Sequence, residues 1–113
     1  MGATFGLNQG VGVVTVSGVL TSVGVDAFRE QFADWWQSAP EINNVVVDLG
    51  GVKFMDSSGL GSLMGLLKCV SERGGDMKIA RLQKKVRMVF EITRAYEVFD
   101  IFDSVEEALK ACG

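Results

Sequence analysis

The run Val45-Val46-Val47-Asp48-Leu49 does most to limit what this chain can fold into. It is nearly continuous in apolar residues and rich in β-branched ones, so it reads as a central strand covered on both faces rather than one with a solvent side. Shortly after it, Phe54-Met55-Asp56-Ser57-Ser58-Gly59-Leu60-Gly61 supplies helix-capping side chains and opens an apolar-periodic segment. That segment continues to about Arg73, and Gly74-Gly75 closes it. Strands separated by helices call for right-handed parallel crossovers, which places the chain in the α/β class.

The rest of the chain fills in that plan. Thr4 to Leu7, the turn Asn8-Gln9-Gly10 and Val11 to Ser17 read as a β-hairpin. From Val23 to Ala39 the period becomes helical, with Val25, Phe28, Phe32, Trp35 and Trp36 on one side, Arg29, Glu30 and Asp34 on the other, and Pro40 as the stop. Met77 to Ala80 is a short strand. Val86, Val89, Phe90 and Thr93 line one face of a third helix, opposite Lys84, Arg87, Glu91 and Arg94. Val98 to Phe102 makes a fifth strand or an extended link, and Ser104-Val105-Glu106-Glu107 starts a last helix with a capping-box pattern. The expectation is a mixed β-sheet with an N-terminal hairpin at its edge and about four helices packed on it, in a single domain over residues 1–113.

Composition removes whole classes of function. The 113 residues include no histidine, which excludes a Ser-His-Asp or Cys-His nucleophile, a His-ligated zinc site and a histidine phosphorelay site. Cys69 and Cys112 cannot cage a metal by themselves, so no metal and no cofactor is expected. A formal net charge of −3 gives no general attraction to polyphosphate, which argues against direct nucleic-acid binding. No stretch is long and apolar enough for a membrane span, and no leader pattern opens the chain, so the expectation is a cytoplasmic protein.

The segment around Ser57 carries the functional signal. It lies where a central strand feeds a helix N-terminus, and unpaired N–H groups and the macrodipole there favour negative charge. Asp56 or Ser57 acting only as a helix cap explains the same residues. A helical wheel puts Leu60, Leu63, Met64, Leu67 and Val70 on one arc and Ser57, Ser58, Gly61, Ser62, Gly65, Lys68, Cys69 and Glu72 on the other. Two interior glycines cost ~1 kcal/mol each relative to alanine, and a flat surface for close approach of a partner accounts for that cost. The competing arrangement turns Gly61 and Gly65 against the sheet. Met55, Met64, Trp35 and Trp36 read as packing, and the basic group Arg81, Lys84, Lys85 and Arg87 reads as a solvated helix face or as a patch for an acidic partner.

The stretch Val45 to Gly61, VVVDLGGVKFMDSSGLG, resembles the signature of the STAS domain, in particular its bacterial anti-sigma-factor antagonist branch. Ser17-Gly18-Val19-Leu20 is similar to that family's Gly-x-Leu turn after the second strand. Gly74-Gly75-Asp76 is similar to its Gly-Gly entry to the next strand, and VFDIFDSVEEAL from Val98 to Leu109 to its C-terminal end.

The resemblance implies a STAS-like fold and a non-enzymatic partner switch. In that family the serine after the aspartate, Ser57 here, is phosphorylated by an anti-sigma factor that is itself a serine kinase. The unphosphorylated form binds that kinase and frees the sigma factor, phosphorylation breaks the complex, and a PP2C-type phosphatase restores it. The partner surface so implied comprises Thr21, Ser22, Asp56, Ser57, Ser58, Gly59, Gly61, Ser62, Gly65 and Lys68. At Thr21-Ser22 the chain departs from the aspartate many members carry, which leaves open a divergent kinase as partner. Two other classes stand beside this reading. One is a nucleotide or small-ligand sensor, using the glycine run Gly59 to Gly65 with Lys68 or Lys53 to neutralise phosphate. The other is a scaffold module of a related signalling complex.

Overall fold

Strand β1 (Gly2–Asn8) turns through Gln9-Gly10 into β2 (Val11–Leu20), and the two pair antiparallel from Gly2–Ser17 to Asn8–Val11. Both turn residues have positive φ, the two-residue geometry that matches the twist of the flanking strands. This computed structural model describes residues 1–112. After α1 (Val25–Ser38) come β3 (Val45–Met55), α2 (Ser57–Glu72), β4 (Met77–Ala80), α3 (Lys84–Ile92), β5 (Asp100–Phe102) and α4 (Val105–Cys112). The sheet runs β1-β2-β3-β4-β5, with every pairing after the hairpin parallel. The expected mixed sheet with a hairpin at its edge is therefore present, and of the stretch Val98 to Phe102 only Asp100–Phe102 forms a short strand, Val98 and Phe99 lying in the turn before it.

The apolar run in β3 is covered on both faces. Val45, Val47 and Leu49 join Val14, Val16, Phe28, Phe32, Leu63, Leu66 and Phe90 in the main core, which lies beneath α1, α2 and α3. Val46 points the other way and packs with Val11, Ala80 and Ala108, so α4 alone closes the second face. Ser104 Oγ accepts the Glu107 amide at 3.1 Å, as its capping pattern requires.

Four local expectations need correcting. Strand β3 continues through Gly50-Gly51 to Met55 instead of ending at Leu49, because β2 continues beside it as far as Leu20. Ser17 to Leu20 is accordingly not a turn after a strand. It lies within β2, where pairing slips between Thr15 and Ser17 and again between Gly18 and Val19, and Gly18 takes φ +87°. Helix α1 begins at Val25, leaving Val23 in the preceding turn and 95% exposed. Arg81 stands before α3 rather than on its face, with Nε 3.2 Å from Asp48 Oδ1.

Arg73, just past the end of α2, fixes α1 to the core. Its guanidinium donates to the carbonyls of Ala39 (3.0 Å), Ile42 (2.9 Å) and Trp36 (2.9 Å) and lies 3.6 Å over the Trp36 ring. One fork thus ties together three carbonyls at and beyond the end of α1, adding a charged donor to those of Trp36 and Ala39, which also accept the Ala39 (3.4 Å) and Ile42 (3.1 Å) amides. Trp36 is buried and Trp35 is partly buried against Phe5, with ring centroids 5.4 Å apart, so both tryptophans are packing residues.

Candidate functional site at the start of helix α2

The long β2–β3 pair delivers two loops to one place. Leu20 and Met55 are register partners, so the turn that follows β2 and the first residues of α2 emerge side by side. The Asp56 carboxylate joins them. Oδ1 accepts the Gly59 amide at 2.9 Å, capping α2, and Oδ2 accepts the Ser22 amide at 3.2 Å. These hydrogen bonds, Gly59 first, hold the carboxyl below its ordinary value against an opposing contribution from desolvation. Asp56 is therefore an anion at neutral pH.

Ser57, the first residue of α2, is exposed beside that anion. Gly61, Met64 and Lys68 follow it at helical spacing, forming an outward stripe of a hydroxyl, a glycine, a methionine and a cation. Ser22 and Lys68 are exposed, while Thr21 and Ser58 are half-buried. Around this end of the molecule the exposed apolar residues include Val23, Val19 and Phe54, the last two being register partners at the ends of β2 and β3. None of those three was assigned to the partner surface from the sequence, although Phe54 and Val19 lie in the quoted motifs, because their periodicity marks them as strand or helix residues and gives no hint that nothing covers them.

Two residues assigned to the partner surface turn inward. Gly59 is buried, and a Cβ there would overlap the Leu20 carbonyl oxygen and come within 2.9 Å of Met55 Cγ. Ser62 is fully buried, its hydroxyl donating to the Gly59 carbonyl at 2.6 Å. The helix is rotated from the expected orientation. Its core face is Gly59, Ser62, Leu63, Leu66 and Val70, while Met64, expected as packing, is 42% exposed.

Gly61 and Gly65 do not pack on the sheet. Their nearest neighbours for an added Cβ are Arg29 Nη2 at 3.8 Å and Arg29 Nε at 4.0 Å, across the groove between α1 and α2. With Gly59 buried and its amide held by Asp56, the glycine run does not form an open cradle for a phosphate. Among the described residues no group of three or more His, Cys, Asp or Glu side chains could hold a metal ion, and no helix is long and apolar enough to cross a membrane.

Comparison with known proteins places this geometry in a family. The STAS domain profile matches residues 6–108. The anti-sigma F factor antagonist of Paenibacillus polymyxa is 29% identical over 102 residues, covering 90% of this chain and 86% of the relative. The anti-sigma-B factor antagonist of Bacillus subtilis is 27% identical over 88 residues, 78% of each chain. The crystal structure of an anti-sigma factor antagonist from Mycobacterium paratuberculosis superposes with a TM-score of 0.87 at 22% identity, covering 98% of this chain and 92% of that one. With the β-β-α-β-α-β-α-β-α order, the mixed sheet and a family match over nearly its whole length, this chain belongs to the STAS domain family, among relatives that are anti-sigma factor antagonists.

Proposed function

We propose that this protein is an anti-sigma-factor antagonist that works by partner switching and has no catalysis of its own. The unphosphorylated form binds an anti-sigma factor that is a serine kinase, in the cytoplasm, and so releases the sigma factor. The kinase phosphorylates Ser57, the complex dissociates, and a PP2C-type phosphatase resets it. The observation that carries this reading is the exposed Ser57 hydroxyl placed beside an ionised, hydrogen-bonded Asp56, at the head of the Gly61-Met64-Lys68 stripe.

The chemistry of the switch follows from that placement. Phosphorylation adds about −1.5 to −2 of charge to a residue whose neighbour is already an anion. The Gly59 amide, which could answer a phosphate at a helix N-terminus, is occupied by Asp56. In the free protein water solvates the new charge. In a complex the same group stands unpaired in a desolvated contact, at a cost of several kcal/mol. Each ~1.4 kcal/mol is tenfold in affinity, so one phosphate suffices for a hundredfold loss or more.

Thr21 and Ser22 take part through the turn that Asp56 holds, and Ser58, Gly61, Gly65 and Lys68 through the outward side of α2. Gly59 and Ser62 support that surface from within. The test is incubation with the cognate kinase and ATP, followed by mapping of the modified residue by mass spectrometry. Phosphate on Ser57, lost in Ser57→Ala, is the expected result; undiminished incorporation into Ser57→Ala refutes the assignment.

A further inference from the structure

Helix α3 presents apolar side chains where a solvated helix ordinarily carries polar ones. Val86 and Phe90 are its buried residues, and the pole opposite them is Met88 and Ile92, which are 50% and 78% exposed. Tyr96, in the short 3-10 turn Ala95–Glu97 that follows the left-handed Arg94, is also exposed. Burial of the inner residues leaves no tertiary reason for that ridge, and isolated exposure of one apolar residue is ordinary whereas two neighbouring ones at i and i+4 on the outward pole of a short helix are less so.

The charges around the ridge are equally one-sided. Between Arg81 and Arg94 stand five of the chain's eleven basic residues and one acidic residue, Glu91, in a protein whose formal net charge is −3. Arg81 and Arg94 are engaged with Asp48 and Glu97, and Arg87 lies 3.9 Å from Asp103. Among the described residues no ion pair involves Lys84 or Lys85. On the helical wheel these two lysines flank Met88 and Ile92, so an apolar ridge is bordered by two uncompensated cations.

We propose that this face of α3 is a second docking surface, and that its occupant is an acidic amphipathic segment of a partner protein. Apolar side chains of the segment cover Met88 and Ile92, and its carboxylates meet Lys84 and Lys85. This placement of opposite charges around a small apolar centre favours encounter and fixes orientation. A protein segment fits better than an anionic membrane. The helix has nine residues and offers two outward apolar side chains, too little for insertion into a bilayer interface. The remainder of the chain carries an excess of acid that would be repelled within the ~8 Å reach of unscreened charge. The proposal does not depend on the switch at Ser57.

The test uses the full ¹⁵N-labelled chain and two synthetic helical peptides with the same glutamates, one with leucines at i, i+3, i+4 and i+7 and one with serines there. Saturable shifts of the Lys84 to Tyr96 amides with the leucine peptide, weaker by about tenfold or more with the serine peptide, are expected. They should be lost in Met88→Glu/Ile92→Glu and retained in Ser57→Asp. Thermal unfolding of the double variant, whose substituted positions are exposed, checks that the fold survives. Equal binding of both peptides, no saturable shift, or shifts confined to other elements overturns the proposal. So does binding to anionic vesicles without peptide binding, which would assign the face to lipid, or sedimentation showing that the parent dimerises and the double variant does not, which would assign it to a second copy.

Discussion

Alanine substituted for glycine along α2 should change stability in opposite directions at positions that differ only in which way the helix faces. At Gly65 an added methyl meets nothing nearer than Arg29 Nε at 4.0 Å, and at Gly61 nothing nearer than Arg29 Nη2 at 3.8 Å. Each change therefore retains only the propensity gain, and Gly61→Ala and Gly65→Ala should each stabilise the protein by up to ~1 kcal/mol. At Gly59 the same methyl overlaps the Leu20 carbonyl oxygen, a backbone atom at the end of a strand that also accepts the Asp56 amide at 3.4 Å. Overpacking costs about 1–3 kcal/mol and the disturbed hydrogen bond about 0.5–1.5 kcal/mol, against the same ~1 kcal/mol gain. Gly59→Ala should therefore lose about 1–3 kcal/mol, lowering Tm by roughly 4–12 °C in a domain of this size. Urea unfolding at constant m-value reads all three directly. A Gly59→Ala protein as stable as the parent, or a Gly65→Ala protein that unfolds several degrees lower, would show that the helix is rotated differently and would remove the outward stripe on which the functional reading rests.

Arg73→Met should destabilise the fold by about 1–3 kcal/mol, because the charged hydrogen bonds to the carbonyls of Trp36, Ala39 and Ile42 are lost and only the first two carbonyls keep a backbone donor; Arg73→Lys, which cannot reach all three, should recover only part of this in urea unfolding. Ser62→Ala should leave partner affinity unchanged and shift stability by no more than about 1 kcal/mol, since the hydroxyl and its local bond to Gly59 disappear together. The Asp56 carboxyl is lowered on folding, so it contributes stability above the unfolded-state value and loses it as pH falls through the folded-state value. The difference in unfolding midpoint between the parent and Asp56→Asn should accordingly be constant near neutrality and narrow below about pH 4. The purified protein should hydrolyse neither nucleotides nor esters; turnover that vanishes in Ser57→Ala would contradict the binding-module reading.

The order of elements was legible because each carries a clean period: β-branched runs at Val11 and Val45, apolar spacing of three and four in α1 and α3, and a capping serine at Ser104. The upper half of β3 was not, since Gly50-Gly51 and Lys53 break the apolar run, and only the continued pairing with β2 keeps that segment extended. The same continuation hid Gly18 inside a strand. The rotation of α2 was misread for a related reason. Leu60, Met64 and Leu67 dominate a hydropathy wheel, whereas the helix is seated by its smallest residues, Gly59 and Ser62, where it comes closest to Leu20. Hydropathy does not distinguish a glycine that admits a neighbour from one that faces solvent. Asp56 and Ser57 were legible because a capping aspartate followed by serines marks a helix start, but its second bond, to Ser22 thirty-four residues away, has no local signature.

The central claim is that one hydroxyl on the outward face of α2 controls a partner. It is tested most directly by titrating the anti-sigma factor, by calorimetry, into the unmodified protein and into protein phosphorylated at Ser57. The account predicts a saturable complex with the unmodified form and a Kd raised by about a hundredfold or more by the phosphate. Equal affinity for the two forms would contradict it.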